Sequence, residues 1–239
     1  MRMSIILQEL KKYSSDKRKS ANEWFFKTGT GQYGEGDIFI GVSNPDARTV
    51  VKKFSHLSFE DIGEALHSSI HEERLVGVLI LVRQYEKSTT KENRLKIAKF
   101  YLKNLTCVNN WDLVDLSSHK ILGRAIQEQI LDEKILDRLA VSENMWHRRV
   151  AIISTMTCIS NGKFDTALRI AKMLLHDKED LTHKAVGWTL REVWKKDPKL
   201  CEQFLLTHYD ELPRTTLRYA IERMDEVKRK HFMKHERSN

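Results

Sequence analysis

The segment Arg149-Val-Ala-Ile-Ile-Ser sets a basic residue before an apolar stretch of helical character. Four further segments share this outline of a leading residue and a mostly apolar run: Arg74-Leu-Val-Gly-Val-Leu, Trp111-Asp-Leu-Val-Asp-Leu, Lys184-Ala-Val-Gly-Trp-Thr and Leu217-Arg-Tyr-Ala-Ile-Glu. In chain order the five segments start 37, 38, 35 and 33 residues apart, a length that holds two helices and their turns. The spacing predicts an all-α solenoid of HEAT-like two-helix repeats, a curved superhelix with a basic concave groove.

The composition favours the same fold class. The 239 residues include only 10 Gly and 3 Pro, and five of the glycines lie between Gly29 and Gly41. Because all-β folds need a turn about every 8–12 residues, and turns use Gly and Pro, a β-sandwich or β-barrel is disfavoured. Gly77 and Gly187 fall within aligned repeat helices, where we expect close helix packing. We expect a single domain over residues 1–239, with an irregular glycine-rich link at 29–44.

Hydrophobic periodicity predicts helices along nearly the whole chain. Pro45, Pro198 and Pro213 each precede an amphipathic stretch, and a proline in the first turn behind a cap such as Asn44 or Asp197 marks a helix start. The predicted helices span 4–13, 18–28, 45–55, 58–69, 71–86, 91–105, 110–118, 120–128, 131–140, 144–159, 163–176, 180–195, 198–208, 213–223 and 225–235.

The charge balance favours a polyanionic partner. Lys and Arg total 41 against 33 Asp and Glu, a net charge of +8, with basic clusters at 11–27, 91–103 and 228–237. The longest uninterrupted apolar run is eight residues, Leu75–Val82, far too short for a membrane span. The three cysteines show no zinc or disulfide spacing. We expect a cytoplasmic protein that uses no membrane contact and no metal.

The repeat alignment predicts where a functional surface lies. Trp111, Arg149 and Lys184 occupy the same place in three successive repeats, and Asp115 and Trp188 follow one turn later in theirs. Because residues four apart share a helix face, the concave side would gather two indoles, a carboxylate and cations. The same spacing favours Asp115 over its neighbour Asp112, which does not share the face of Trp111.

That grouping suits cleavage of the N-glycosidic bond of an alkylated purine. A purine with a fixed positive charge is already a good leaving group, so the chemistry needs a negative charge beside the developing oxocarbenium ion. Asp115 is the candidate for this role and for orienting the attacking water. Trp111 and Trp188 would form aromatic walls around sugar and cation, and Arg149 would bind a backbone phosphate.

The sequence resembles the AlkD-like DNA alkylation repair proteins, which are HEAT-like-repeat DNA glycosylases. The resemblance covers most of the chain and is strongest at Trp111-Asp-Leu-Val-Asp115, Asn144-Met-Trp146-His-Arg-Arg149-Val-Ala, Lys184-Ala-Val-Gly-Trp188-Thr-Leu-Arg191-Glu, Leu212-Pro-Arg-Thr-Thr-Leu-Arg-Tyr-Ala-Ile-Glu222 and the glycine-rich stretch that begins at Phe25. It implies an enzyme that removes cationic N3- and N7-alkylpurines from double-stranded DNA with no cofactor, and we expect this enzyme to be a monomer. Such an enzyme would be associated with the nucleoid when bound to DNA.

The resemblance also implies which residues of this chain are functional. It implies roles for Trp111, Asp115, Arg149 and Trp188, with Arg191 as a further DNA contact. Two positions depart from the family pattern. Asn110 stands where some members have a second tryptophan. Phe25 stands where some members have a tyrosine near the lesion, so the hydroxyl contact would be missing.

Other interpretations stay open at this point. Tryptophans of helical repeats are more often core residues, and Asp115 could be a solvated carboxylate at a helix end. Gly29-Thr-Gly31-Gln-Tyr-Gly34 matches a dinucleotide-binding pattern, but no strand precedes it, so a turn-rich link is favoured. The alternative functions are a non-catalytic protein that binds distorted or damaged DNA and a protein–protein scaffold.

Overall fold

The structure of the protein, a computed structural model, describes residues 4–234. Within this range it contains sixteen α-helices and no strand, and its one β-bridge joins Ile38 to Ile70. Contacts divide the chain into two compact units, Met1–Ile121 and Leu122–Asn239. The all-α prediction is thus confirmed, while the single domain over 1–239 stays a prediction. No helix in the described range is long and apolar enough to cross a membrane.

The first unit is built around one long buried helix. Its α-helices are α1 (Ile5–Leu10), α2 (Asp16–Phe25), α3 (Asn44–Lys53), α4 (Phe59–Leu66), α5 (His71–Lys87), α6 (Lys91–Lys103) and α7 (Trp111–Ser118). Helix α5 packs against α1, α3, α4, α6 and α7, and every residue of 71–82 is buried. A helix that is enclosed in this way can be apolar on all sides, which explains the run Leu75–Val82.

The second unit has a comparable central helix. Its α-helices are α8 (Arg124–Gln127), α9 (Lys134–Ala140), α10 (Met145–Ser154), α11 (Met156–Ser160), α12 (Asp165–Met173), α13 (Asp180–Lys196), α14 (Pro198–Thr207), α15 (Arg214–Ala220) and α16 (Glu226–Lys234). Helix α13 packs against α10, α11, α12, α14 and α15. A Cβ atom at Gly187 would collide with the Thr216 carbonyl and the Tyr219 side chain, so this glycine allows α15 to approach closely.

Pro45 and Pro198 lie in the first turns of their helices as predicted, whereas Pro213 precedes α15 as its N-cap residue, and one predicted cap is wrong. Pro198 opens α14 behind Asp197, whose carboxylate accepts the Leu200 N–H at 3.0 Å. For α3 the cap is Ser43, whose hydroxyl accepts from the Asp46 N–H, rather than Asn44. Asn44 is therefore the first residue of α3, and Ser43 satisfies one of the free N–H groups of the first turn.

Two predicted helices are less regular than expected. The predicted helix over 144–159 is interrupted at Thr155, whose buried hydroxyl donates to the Ile152 carbonyl at 2.7 Å. The predicted helix over 120–128 begins with a π-helical turn, His119–Gly123, that continues directly from α7. A threonine hydroxyl competes with the helical backbone for the same carbonyls, which local periodicity does not reveal. The last predicted residue, 235, lies outside the described residues.

The glycine-rich link between α2 and α3 is irregular, as predicted, and it is bonded to the first turn of α5. The buried carboxylate of Glu72 accepts the N–H groups of Ile40, Gly41 and Val42 at 2.8 to 3.2 Å. Gly41 has φ of 76°, and a Cβ atom there would collide with the Ser15 carbonyl. The link is therefore held against α5 by a charged acceptor, which fixes the residues that precede it.

Candidate active site

The predicted site residues are divided between the two units. Phe25, Trp111 and Asp115 belong to the first unit, in α2 and α7. The second unit contains Arg149, Lys184, Trp188 and Arg191, in α10 and α13. The two predicted groups are therefore built by separate sets of helices.

Helix α7 begins at Trp111 because Asn110 caps it. The buried Asn110 side chain accepts the Trp111 N–H at 2.8 Å and donates to an oxygen of Asp37 at 2.9 Å. An asparagine at the cap satisfies a free N–H of the first turn. The departure at Asn110 thus has a structural role in this chain, since it ties the start of α7 to the glycine-rich link.

Trp111 packs on a ladder of aromatic rings. Its indole stacks on Phe26 with the centroids 5.3 Å apart and the planes 14° from parallel. Phe25 meets the indole edge-on at 5.9 Å, and Phe26 continues the ladder onto Phe39 at 5.0 Å. The Phe25 side chain is 54% exposed, whereas Trp111 is half-buried. Phe25 and Trp111 therefore form a partly open aromatic surface, the arrangement in which a flat cationic base can be held.

Asp115 is half-buried one turn after Trp111 on α7. Its backbone carbonyl accepts a hydrogen bond from His119, and burial together with Lys120 lowers the pKa of His119 to about 4. At neutral pH this imidazole is uncharged, so it adds no positive charge beside the carboxylate. Burial raises the pKa of Tyr101, and the negative charge of Asp115 raises it further. The Tyr101 hydroxyl forms a hydrogen bond with the Ser117 hydroxyl at 2.8 Å.

A buried charged network that sequence reasoning missed supports this aromatic and acidic surface. The His71 imidazole lies between two carboxylates, with Nδ1 3.1 Å from Asp37 and Nε2 2.8 Å from Asp112. Arg74 donates to the second oxygen of Asp37 at 2.5 Å. The four side chains thus join the glycine-rich link, the start of α5 and the first turn of α7, and the His71 ring also stacks on Phe39 at 4.5 Å.

The network is balanced only when His71 carries a charge. Burial alone would lower the pKa of His71, but the carboxylates of Asp112 and Asp37 outweigh burial and raise the pKa to about 9. The pKa of Asp37 is lowered because His71, Arg74 and Asn110 offset the effect of burial. Two carboxylates then face one imidazolium and one guanidinium. The signal in the sequence is the run His71-Glu-Glu-Arg74 directly before the apolar run Leu75–Val82.

In the second unit, Lys184, Trp188 and Arg191 follow one another at helical spacing on α13 and share a face. Lys184 pairs with Asp180 at 2.8 Å, and Arg191 pairs with Glu222. The half-buried Trp188 donates its indole N–H to Glu192 at 3.2 Å. These interactions hold one indole and two cations along one side of the central helix.

Arg149 is more deeply enclosed than its predicted role suggests. It is 5% exposed, and its guanidinium donates to the Leu181 carbonyl, which connects α10 with α13. Its neighbour Arg148 forms an ion pair with Asp177 at 2.5 Å. The phosphate contact of Arg149 stays a prediction. Trp146, with 7% exposure, is a core residue.

Comparison with known proteins agrees with these observations. A family model described as DNA alkylation repair enzyme matches residues 6–224. The chain belongs to the DNA alkylation repair enzyme family. A solved structure with this fold, a predicted DNA alkylation repair enzyme from Enterococcus faecalis, is 16% identical with a TM-score of 0.69; the match covers 89% of this chain and 97% of that one. No curated protein matches the chain.

Membership of the DNA alkylation repair enzyme family confirms the resemblance seen in the sequence, and the similar structure confirms the α-solenoid class. At 16% sequence identity the structural match is evidence for the fold only. No group of three potential metal-ligating side chains occurs among residues 4–234.

Proposed function

We propose that this family member is a DNA glycosylase that hydrolyses the N-glycosidic bond of cationic N3- or N7-alkylated purines in double-stranded DNA. The observation that supports this most directly is the position of the half-buried Asp115 one turn along α7 from Trp111, on a face flanked by exposed Phe25. A carboxylate beside an aromatic surface suits a substrate that carries positive charge through the reaction.

The proposed reaction needs no proton on the leaving group. The bond between the sugar C1′ and the purine nitrogen breaks, both electrons pass to the cationic purine, and the base leaves neutral. The sugar becomes an oxocarbenium ion, which Asp115 stabilises. A water oriented by the same carboxylate adds to C1′ and loses a proton, leaving an abasic site. His119 on the next turn is uncharged at neutral pH, so it adds no positive charge to this part of α7.

The remaining predicted residues complete this proposal. Trp111 contacts the cationic base, and Phe25 beside it offers a ring without a hydroxyl. Trp188 keeps its predicted role as an aromatic contact to the substrate. Lys184 and Arg191, paired with Asp180 and Glu222 in the free protein, exchange these partners for DNA phosphates on binding. Arg149 contacts a backbone phosphate in this proposal while its guanidinium also bonds the Leu181 carbonyl of α13. We further propose that the enzyme acts as a monomer without a cofactor, in the cytoplasm and at the nucleoid.

The proposal is tested by incubating the protein with duplex DNA that contains N7-methylguanine and detecting the free base. We expect free N7-methylguanine to appear and abasic sites to accumulate in equal amounts. A protein that binds this duplex but releases no base would instead be a damage-binding member of the family. A protein that shows no salt-sensitive DNA binding would support a scaffold function.

Trp188→Ala is expected to lower the single-turnover rate roughly ten- to hundredfold and to weaken duplex binding, because a stacking contact is worth about 1–3 kcal/mol. The rate is measured at saturating enzyme, and the dissociation constant by titration. Trp194→Ala is the matched control, since Trp194 is a half-buried indole on the same helix that donates to Glu202 at 3.1 Å. Equal rates for the two variants would assign Trp188 to packing.

A further inference from the structure

A small cationic cavity lies in the first unit, apart from the aromatic surface of Phe25 and Trp111. Its volume is about 140 Å³, and Val51, Leu79 and Val82 provide its apolar lining. Four cationic side chains surround it: Arg48 and Lys52 of α3, Arg83 of α5, and Lys120 of the π-helical turn after α7. Glu86 is the one acidic residue in its lining. The local charge is therefore strongly positive.

Arg83 is unusual among the arginines of the structure. Eight arginines within residues 4–234 are buried or half-buried. Seven of these bond or pair with another side chain or a carbonyl, and they are Arg74, Arg94, Arg124, Arg148, Arg149, Arg169 and Arg191. The Arg83 Nε atom is buried without any hydrogen-bond partner, and no described residue pairs with its guanidinium.

The buried Nε–H of the half-buried Arg83 is costly without an acceptor, because a buried N–H that gives up water needs a replacement. The other three cations of the cavity likewise form no ion pair with any residue of the described range. Four cations held together repel one another unless an anion joins them. Both observations point to a ligand that supplies negative oxygens to this cavity.

A phosphate group fits the chemistry best. A guanidinium presents a planar fork of donors that matches phosphate oxygens, and lysines add further charge. An apolar cavity of about 150 Å³ can hold benzene, so about 140 Å³ accommodates a phosphate with part of an attached sugar on the apolar lining. Lys120 follows Asp115 by five residues in one continuous helical segment, about 8 Å along its axis.

We propose that Arg48, Lys52, Arg83 and Lys120 form a phosphate-binding site, occupied by a backbone phosphate of the DNA duplex near the reacting nucleotide. This inference rests on the proposed function for the source of the phosphate. Phosphate contacts fix register without reading sequence. The site therefore fixes the register of the duplex on the first unit, and it binds damaged and undamaged duplex alike.

The test is the salt dependence of duplex binding by the full chain. Each phosphate contact contributes about 0.9 to the slope of log K against log salt concentration. Arg83→Gln is expected to reduce that slope by about 0.9 on damaged and undamaged duplex, and Arg83→Lys to retain most of it. Lys99→Gln is the charge-matched control, because Lys99 is exposed on α6 and does not line the cavity.

Lys120→Gln provides a second variant if Arg83→Gln does not fold, and the same reduction is expected. Titration with inorganic phosphate, followed by phosphorus NMR, distinguishes the source of the ligand. Loss of phosphate binding in Arg83→Gln with an unchanged DNA slope would support the site with a free phosphate as its ligand. An unchanged slope together with no phosphate binding by the wild-type protein would overturn the proposal.

Failure of this inference is distinguishable from failure of the proposed function. If the wild-type protein releases N7-methylguanine but binds no inorganic phosphate, and its Arg83→Gln variant keeps the full slope, the phosphate site alone is overturned. A protein that releases no base, and whose slope falls in Arg83→Gln, retains the phosphate site and overturns the glycosylase proposal.

Discussion

Asp115→Asn is expected to lower the rate of base release about a thousandfold while the variant still binds duplex DNA. A carboxylate 4 Å from a cation contributes about 4 kcal/mol at an effective dielectric constant of 20, and each 1.36 kcal/mol is about tenfold in rate. Asparagine keeps the shape of the side chain and removes its charge. The rate is measured under single-turnover conditions on duplex containing N7-methylguanine, and binding on the same duplex.

Two further carboxylates serve as controls. Asp165→Asn removes an exposed charge at the start of α12 and should leave the rate unchanged. Asp112→Asn should lower the melting temperature, because it removes a partner of the buried His71, whereas Asp115→Asn should leave the melting temperature near that of wild type. Full activity of Asp115→Asn would refute the assignment of the carboxylate.

His71→Gln is expected to destabilise the folded protein by about 3–5 kcal/mol, because it leaves the buried carboxylates of Asp37 and Asp112 facing one guanidinium. Denaturant unfolding at pH 7 measures the loss. His56→Gln is the matched control, since His56 is exposed on the same unit. A His71→Gln variant as stable as wild type would show that the network does not need the positive charge.

His71→Gln should also remove much of the pH dependence of the melting temperature. The pKa of His71 is about 9 in the folded protein, against about 6.5 in an unfolded chain. A raised pKa contributes stability that is fully present below pH 6.5 and is lost as the pH rises through 9. We expect the wild-type melting temperature to fall across this window and that of His71→Gln to change much less. Parallel curves would assign the titration to another group.

Most of the fold could be predicted from the sequence because helical periodicity is a local signal. The helix predicted over 71–86 is α5, His71–Lys87, and the helix predicted over 180–195 is α13, Asp180–Lys196. The break at Thr155 was not predicted, because a single hydroxyl bond to Ile152 decides it. The close approach at Gly187 was predicted, since a glycine is costly within a helix unless a neighbouring element packs tightly against it.

The site was predictable only in part. The relation of Trp111 to Asp115 follows from helical spacing alone. The bonds from His71 to Asp37 and Asp112 join positions 34 and 41 residues apart, and no periodic pattern connects such positions. Arg149 shares a repeat position with Lys184 but is buried against Leu181, whereas Lys184 remains half-exposed. Repeat register predicts the helix position of a residue, and packing decides what its side chain contacts.

The glycine-rich link has a consequence for dissecting the protein. A fragment that began at α3 would retain Asp115 and every helix of the first unit from α3 onward. It would lose Asp37, which pairs with His71 and Arg74, and Phe26, on which Trp111 stacks. Such a fragment would keep the Asp115 carboxylate but lose the contacts that hold the Trp111 indole and the start of α7. The segment before α3 thus supports the candidate site, and any minimal version of this protein has to include it.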